Sequence, residues 1–146
     1  MPHIHEKIDF TVEVFIVYKN KVLLRMHDKL NIWLSVGGHI ELDEDPIEAA
    51  YREVKEEVGL QIKIIGEAHG PDNGSEKNRG YTYLIPPRYL GMHKVNDTHQ
   101  HIVLVYFATS ETDEIKESIH EHERRESRWV SKEELDAMNL VPNVRF

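Results

Sequence analysis

Apolar positions cluster along the chain in a way that sketches its elements before composition is considered. From Phe10 to Val17 the residues are mostly β-branched or aromatic, Lys19-Asn20-Lys21 offers a turn, and Val22-Leu23-Leu24 resumes an apolar run, predicting a β-hairpin. Ile32 to Val36 is a short apolar stretch stopped by Gly37-Gly38, and Asp43 to Pro46 supplies the acidic residues and proline of a helix start. Ile47, Ala50, Tyr51, Val54 and Val58 then recur at three-and-four spacing, which predicts a helix over 46–58 with those residues on its buried stripe and Gly59 as a left-handed cap. Beyond it, Ile62 to Ile65 and Tyr81 to Ile85 read as strands, Ile102 to Ala108 as a long strand buried on both faces, and Arg128-Trp129-Val130 as a last short strand. Ser131-Lys132-Glu133-Glu134 has the form of a capping box opening a helix that runs to about Met138. The segments Gly66 to Gly80 and Pro86 to Gln100, rich in Gly, Pro, Asn, Asp and His, read as loops. The pattern predicts an α/β fold with a central mixed sheet.

Composition narrows the classes. A chain of 146 residues fits one domain, with 40% hydrophobic and 30% charged residues as in water-soluble folds. Its net charge of −8 disfavours a nucleic-acid groove or an anionic membrane surface as partner, although bound divalent cations reverse the field locally. With no cysteine, disulfides, thiolate metal sites and cysteine nucleophiles are excluded. No 18-residue apolar run is present and Met1 to Glu6 lacks the pattern of a signal peptide, so the expectation is a cytoplasmic protein without membrane partners.

The predicted helix carries an arrangement that local stability would not choose. Glu53, Glu56 and Glu57 stand at i, i+3 and i+4 and so share one side of the helix. Such like-charge pairs cost roughly 0.2 to 0.5 kcal/mol each. Glu56 and Glu57 also lie in the last turn, where the helix dipole disfavours anions. A hard cation such as Mg²⁺ or Mn²⁺ would remove both penalties while keeping positions open for phosphate oxygens. A solvated acidic face partly compensated by Arg52 and Lys55 is the alternative that spacing leaves open.

The segment from Gly38 to Leu60 resembles the Nudix box: a glycine, five residues, Glu, seven residues, then Arg-Glu-aliphatic-X-Glu-Glu-X-Gly-aliphatic. Gly38, Glu44, Arg52, Glu53, Val54, Glu56, Glu57, Gly59 and Leu60 meet all nine specified positions over 23 residues. The resemblance implies a Nudix-type α/β/α sandwich over 1–146 that hydrolyses a diphosphate linkage in a nucleoside diphosphate joined to another group. By position, Glu53, Glu56 and Glu57 look like ligands of Mg²⁺ or Mn²⁺ and, with Arg52, like the catalytic set. Glu53 or a glutamate outside the box would deprotonate the attacking water. Glu44 and Arg52 look like a bracing pair, Gly38 permits a sharp turn after the strand, and Gly59 ends the helix. A further metal carboxylate often comes from the loop ahead of the last strand; Glu123 lies at a matching distance, with Glu126 and Glu121 as competitors. Glu41 matches a glutamate common just inside the box and is read as a metal or substrate contact.

The family resemblance leaves the substrate open. The stretch before the box usually reads Trp, two residues, Pro-Gly-Gly, and here Val36 replaces the proline. The proline or tyrosine that often marks subtypes acting on ADP-ribose or diadenosine polyphosphates is missing from the window Glu76 to Gly80. A nucleoside triphosphate pyrophosphohydrolase is therefore the first choice, ahead of a nucleotide-sugar or ADP-ribose pyrophosphatase and a non-catalytic ligand sensor. Absence of cysteine argues against the isomerase branch. Of the ten histidines, His99 and His101 open the long strand on one face and are read as substrate contacts, whereas His3/His5 and His120/His122 are read as surface or pocket residues without metal. Lys77, Arg79 and Arg88 are read as solvated, and Trp33 and Trp129 as core. The end, Val141 to Phe146, resembles the start of a final helix, so the expectation is a sheet face covered by a second subunit in a homodimer, or a shortened chain.

Overall fold

The computed structural model describes residues 7–27, 32–70, 82–116 and 126–138. Strand β1 (Ile8–Tyr18) turns directly into β2 (Lys21–His27). Lys19 and Asn20 both take positive φ, 45° and 64°, in the two-residue loop whose twist matches paired strands, and Val17 faces Val22 across the ladder. Short strands β3 (Ile32–Leu34) and β4 (Val36–His39) follow, then helix α1 (Pro46–Val58). The chain continues through β5 (Ile62–Ile64), β6 (Tyr89–Lys94), β7 (Gln100–Ser110), β8 (Ser127–Ser131) and helix α2 (Lys132–Asp136).

Among the described residues the eight strands join one branched mixed sheet with the path β3-β2-β1-β7-β5. At its centre β1 runs parallel to β7, with Ile8 opposite Gln100 through to Val17 opposite Thr109. β4 pairs antiparallel with β1, β6 with β7 and β8 with β2. Side chains alternate across β1, so Val12, Val14 and Ile16 face one way and Phe15 the other. The first set meets Ala49, Ala50, Val54 and Val58 of α1 in the larger core. Phe15 joins Leu24, Val105 and Val130, against which Leu135 of α2 packs. A helix on each sheet face gives the α/β/α arrangement.

Helix α1 begins and ends where its sequence signals lie. Asp45 accepts from the Glu48 N–H at 2.8 Å while Glu48 Oε1 accepts from the Asp45 N–H at 3.1 Å, a reciprocal cap. Gly59 adopts φ 67° and its N–H closes the last turn onto Val54 and Lys55 carbonyls.

Five expectations need correction. Tyr51 is 41% exposed, and the buried stripe instead includes Ala49 and Glu53, because the stripe is centred one helical step away from Tyr51. Gly37 and Gly38 do not stop a strand; they lie inside β4 paired with Glu13 and Val12. Residues 82–87 form no strand, and Tyr81 lies outside the described residues. The strand is β6, in the stretch read as a loop: every residue of it is exposed, so main-chain pairing to β7 rather than an apolar pattern defines it. β7 is also less buried than its apolar run predicts, because Ile102, Val103, Leu104 and Phe107 are only partly buried.

Candidate functional site

The loop from β4 into α1 is organised around one guanidinium. Arg52 Nε donates to Glu44 Oε2 at 2.9 Å and Nη2 donates to Glu44 Oε1 at 2.6 Å, a two-pronged pair of the strong kind. Nη2 also donates to the His39 carbonyl at 3.0 Å, tying α1 to the end of β4. Nη1 donates to Glu53 Oε1 at 2.9 Å and to Glu56 Oε2 at 3.2 Å. The Arg52 guanidinium holds the Glu44 carboxyl below the usual carboxylate range, against the opposing effect of burial. Glu44 Oε1 in turn accepts from the Glu41 N–H at 2.9 Å, so Glu41 enters through its backbone while the residue itself is exposed.

Glu53 is the buried member of the acidic row, 4% exposed. Burial first, then the Glu57 charge, pushes its carboxyl up to about 7; Arg52 pulls against this and Glu56 adds to it. Its carboxylate lies against Gly38, where a Cβ would meet Glu53 Oε1 and come within 2.8 Å of Oε2. Gly38 has no positive φ, so its glycine serves close approach rather than the sharp turn expected of it. Glu57 and Glu56 open progressively to solvent, with side chains 20% and 37% exposed. Three carboxylates thus grade from buried to accessible along one helix side.

Arg25 was not foreseen. From β2 it places Nη1 2.8 Å from Glu57 Oε2, with only 6% of its side chain exposed. A charged residue directly after the apolar run Val22-Leu23-Leu24 was its only sequence signal. Asp9 and His39 were also missed, although both are buried. They gather with His99 and His101 on the sheet face opposite α1. Glu123 and its competitor Glu121 lie outside the described residues, as do His3, His5, His120, His122, Lys77 and Arg79. Glu126 is exposed, and its carbonyl accepts from the Met26 N–H at 2.8 Å.

The donor chemistry of the acidic row fits a hard divalent cation. Glu53, Glu56 and Glu57 offer oxygen ligands only, and after burial the Glu57 charge is the next cause of the raised Glu53 carboxyl. A cation there would offset that repulsion and favour the ionised form.

The NUDIX domain family matches residues 9–145. A hydrolase of the NUDIX family from Clostridium perfringens superposes with a TM-score of 0.78 at 38% identity, covering 94% of this chain and 91% of that one. An RNA pyrophosphohydrolase of Marinomonas sp. (strain MWYL1) is 51% identical over 64 residues, 41% of this chain and 34% of that protein. The m7GpppN-mRNA hydrolase NUDT17 of Xenopus laevis is 40% identical over 64 residues, 40% of this chain and 22% of that protein. The matches therefore span about a fifth to a third of these curated relatives. This chain belongs to the NUDIX family, in keeping with its mixed sheet and flanking helices. Among the described residues no helix is long and apolar enough to cross a membrane.

Proposed function

We propose that this protein is a metal-dependent pyrophosphohydrolase that cleaves a diphosphate linkage in a nucleoside diphosphate joined to a further group, with nucleoside triphosphates as first substrates. The observation that carries this reading is the graded row Glu53, Glu56 and Glu57, braced by Arg52 against Glu44 and the β4 carbonyl of His39. These three glutamates, with Glu123, would hold Mg²⁺ or Mn²⁺. When bound, that cation supplies charge neutralisation for the diphosphate and activation of water. In the reaction a water oxygen bonds to phosphorus, the bridging P–O bond breaks, and the water proton passes to a carboxylate.

The chain's own residues set up that transfer. Arg52 fixes the orientation of Glu53 and Glu56 with one nitrogen, so neither carboxylate must be ordered at the moment of reaction. Glu53 or a glutamate outside the box takes the proton. Arg25 keeps Glu57 turned toward β2. A second substrate class, RNA, is favoured by the names of the Marinomonas and Xenopus relatives and stands against the expectation from net charge.

A panel of nucleoside triphosphates, nucleotide sugars, ADP-ribose and 5′-triphosphorylated or capped RNA oligonucleotides, each with Mg²⁺, Mn²⁺ or chelator, tests the proposal. Chelator-sensitive release of phosphate or pyrophosphate from one class supports it and identifies the branch. Silence across the panel with cation binding intact would favour a ligand sensor and overturn it.

A further inference from the structure

Four residues outside the acidic row converge at the opening of the central strands. Asp9 of β1 sits opposite His101 of β7 in the parallel register, and His39, the last residue of β4, sits opposite Thr11, two positions along β1. Paired residues and alternate residues share a face, so Asp9, His39 and His101 all project on the side away from α1. Asp9 is 0% exposed, His39 and His99 are buried, and His101 is partly open to solvent. Asp9 Oδ2 lies 3.3 Å from His39 Nε2 and 3.4 Å from His99 Nε2. One donor atom from each of Asp9, His39 and His101 lies within 4.8 Å of the other two. The His101 ring stands nearly perpendicular to both neighbours, with centroids 5.0 Å from His39 and 5.1 Å from His99.

Burying a carboxylate among imidazoles requires a compensating positive charge, which either a proton on an imidazole or a metal ion can supply. The donor set separates this place from the acidic row. Two imidazole nitrogens and one carboxylate oxygen match borderline transition ions, whereas the all-oxygen set on α1 matches Mg²⁺. Tetrahedral bonds of about 2.0 to 2.2 Å put ligand atoms about 3.3 to 3.6 Å apart. The His39–Asp9 separation of 3.3 Å already meets that spacing. The His101 donor atom lies within 4.8 Å of the other two.

We propose that Asp9, His39 and His101 form a second, nitrogen-rich site that takes Zn²⁺ or a similar borderline divalent ion, with His99 orienting Asp9. The ion would pin β1, β4 and β7 together. Its ligand His39 is also the residue whose carbonyl receives Arg52, so the site would steady the end of β4 from which the acidic row is braced. This role differs from the substrate contact that the sequence suggests for His99 and His101, and it stands or falls independently of the proposed hydrolysis.

Co²⁺ absorption and Zn²⁺ calorimetry on the untagged full chain in excess Mg²⁺ test the assignment. Expected are one equivalent of Co²⁺ with the visible absorption of a low-symmetry site, displaced by Zn²⁺ but not by Mg²⁺, and a higher Tm with Zn²⁺. His99→Ala should weaken binding by about 10- to 100-fold, the range for a residue that orients a ligand, and His39→Ala by more. Glu56→Gln should leave it unchanged. Should His39→Ala fail to fold, His101→Gln on the partly open residue gives the same reading. Absence of binding, competition by Mg²⁺, loss of binding in Glu56→Gln, or full binding in the His39 and His101 variants, as the other histidine pairs would produce, overturns the proposal.

Discussion

Gly38 and Glu53 are in contact: the strand backbone at Gly38 lies so close to the Glu53 carboxylate that a methyl group on Gly38 would occupy the carboxylate's position. The contact joins β4 to the middle of α1 and helps to explain how a carboxylate comes to be buried beside two others. Substituting Gly38→Ala should therefore displace Glu53 rather than unfold the chain. We expect cation affinity at the acidic row to fall at least tenfold and turnover by about 10²-fold, the scale of an ångström's misplacement. Circular dichroism should stay unchanged; wild-type cation affinity in a folded Gly38→Ala protein would show that the close approach is immaterial.

Glu44→Gln tests the brace. The charged, two-pronged pair with Arg52 should be worth about 1.5 to 3 kcal/mol at pH 7, read from denaturant unfolding. The folded-state carboxyl of Glu44 lies below its unfolded value of 4.5, so its stabilisation is present above that pH and is lost as pH falls through the lowered folded value. The difference between wild type and Glu44→Gln should accordingly shrink on acidification below about pH 4.5. A difference independent of pH would mean that the charge on Glu44 contributes nothing.

Arg25→Met should destabilise the metal-free protein by about 2 to 4 kcal/mol, since it removes the 2.8 Å ion pair with Glu57 from a largely buried setting. Added Mg²⁺ should recover part of this loss by neutralising Glu57, and Arg25→Lys should lose less than Arg25→Met. Equal stability of all three proteins in chelator would place the Arg25–Glu57 contact outside the energetics of the fold.

What could be read from residues alone was whatever local chemistry decides. The reach of α1 was legible because Asp45, Pro46 and Gly59 satisfy or terminate its backbone directly, and the β1–β2 turn because Lys19-Asn20 sits between two apolar runs. The acidic row was legible as an arrangement that a helix would not select for its own stability. β6 was not, since an exposed edge strand carries no alternation and owes its form to pairing with β7. Arg25 and Asp9 were missed for a related reason: a charge inside a strand reads as a solvent-facing residue until the partner, Glu57 or the histidines, is brought to it by the fold. Gly38 was legible as a required glycine, but its reason lies fifteen residues away in Glu53.

The most direct test of the central claim is the steady-state turnover of Glu53→Gln beside wild type, on whichever panel substrate responds, with Mg²⁺ and with chelator. The substitution keeps the side chain's shape and removes its charge and its capacity to accept a proton. A loss on the order of 10²- to 10⁴-fold in kcat, with an unchanged circular dichroism spectrum, is the predicted result. Undiminished turnover in the folded variant would contradict the assignment of this row to catalysis.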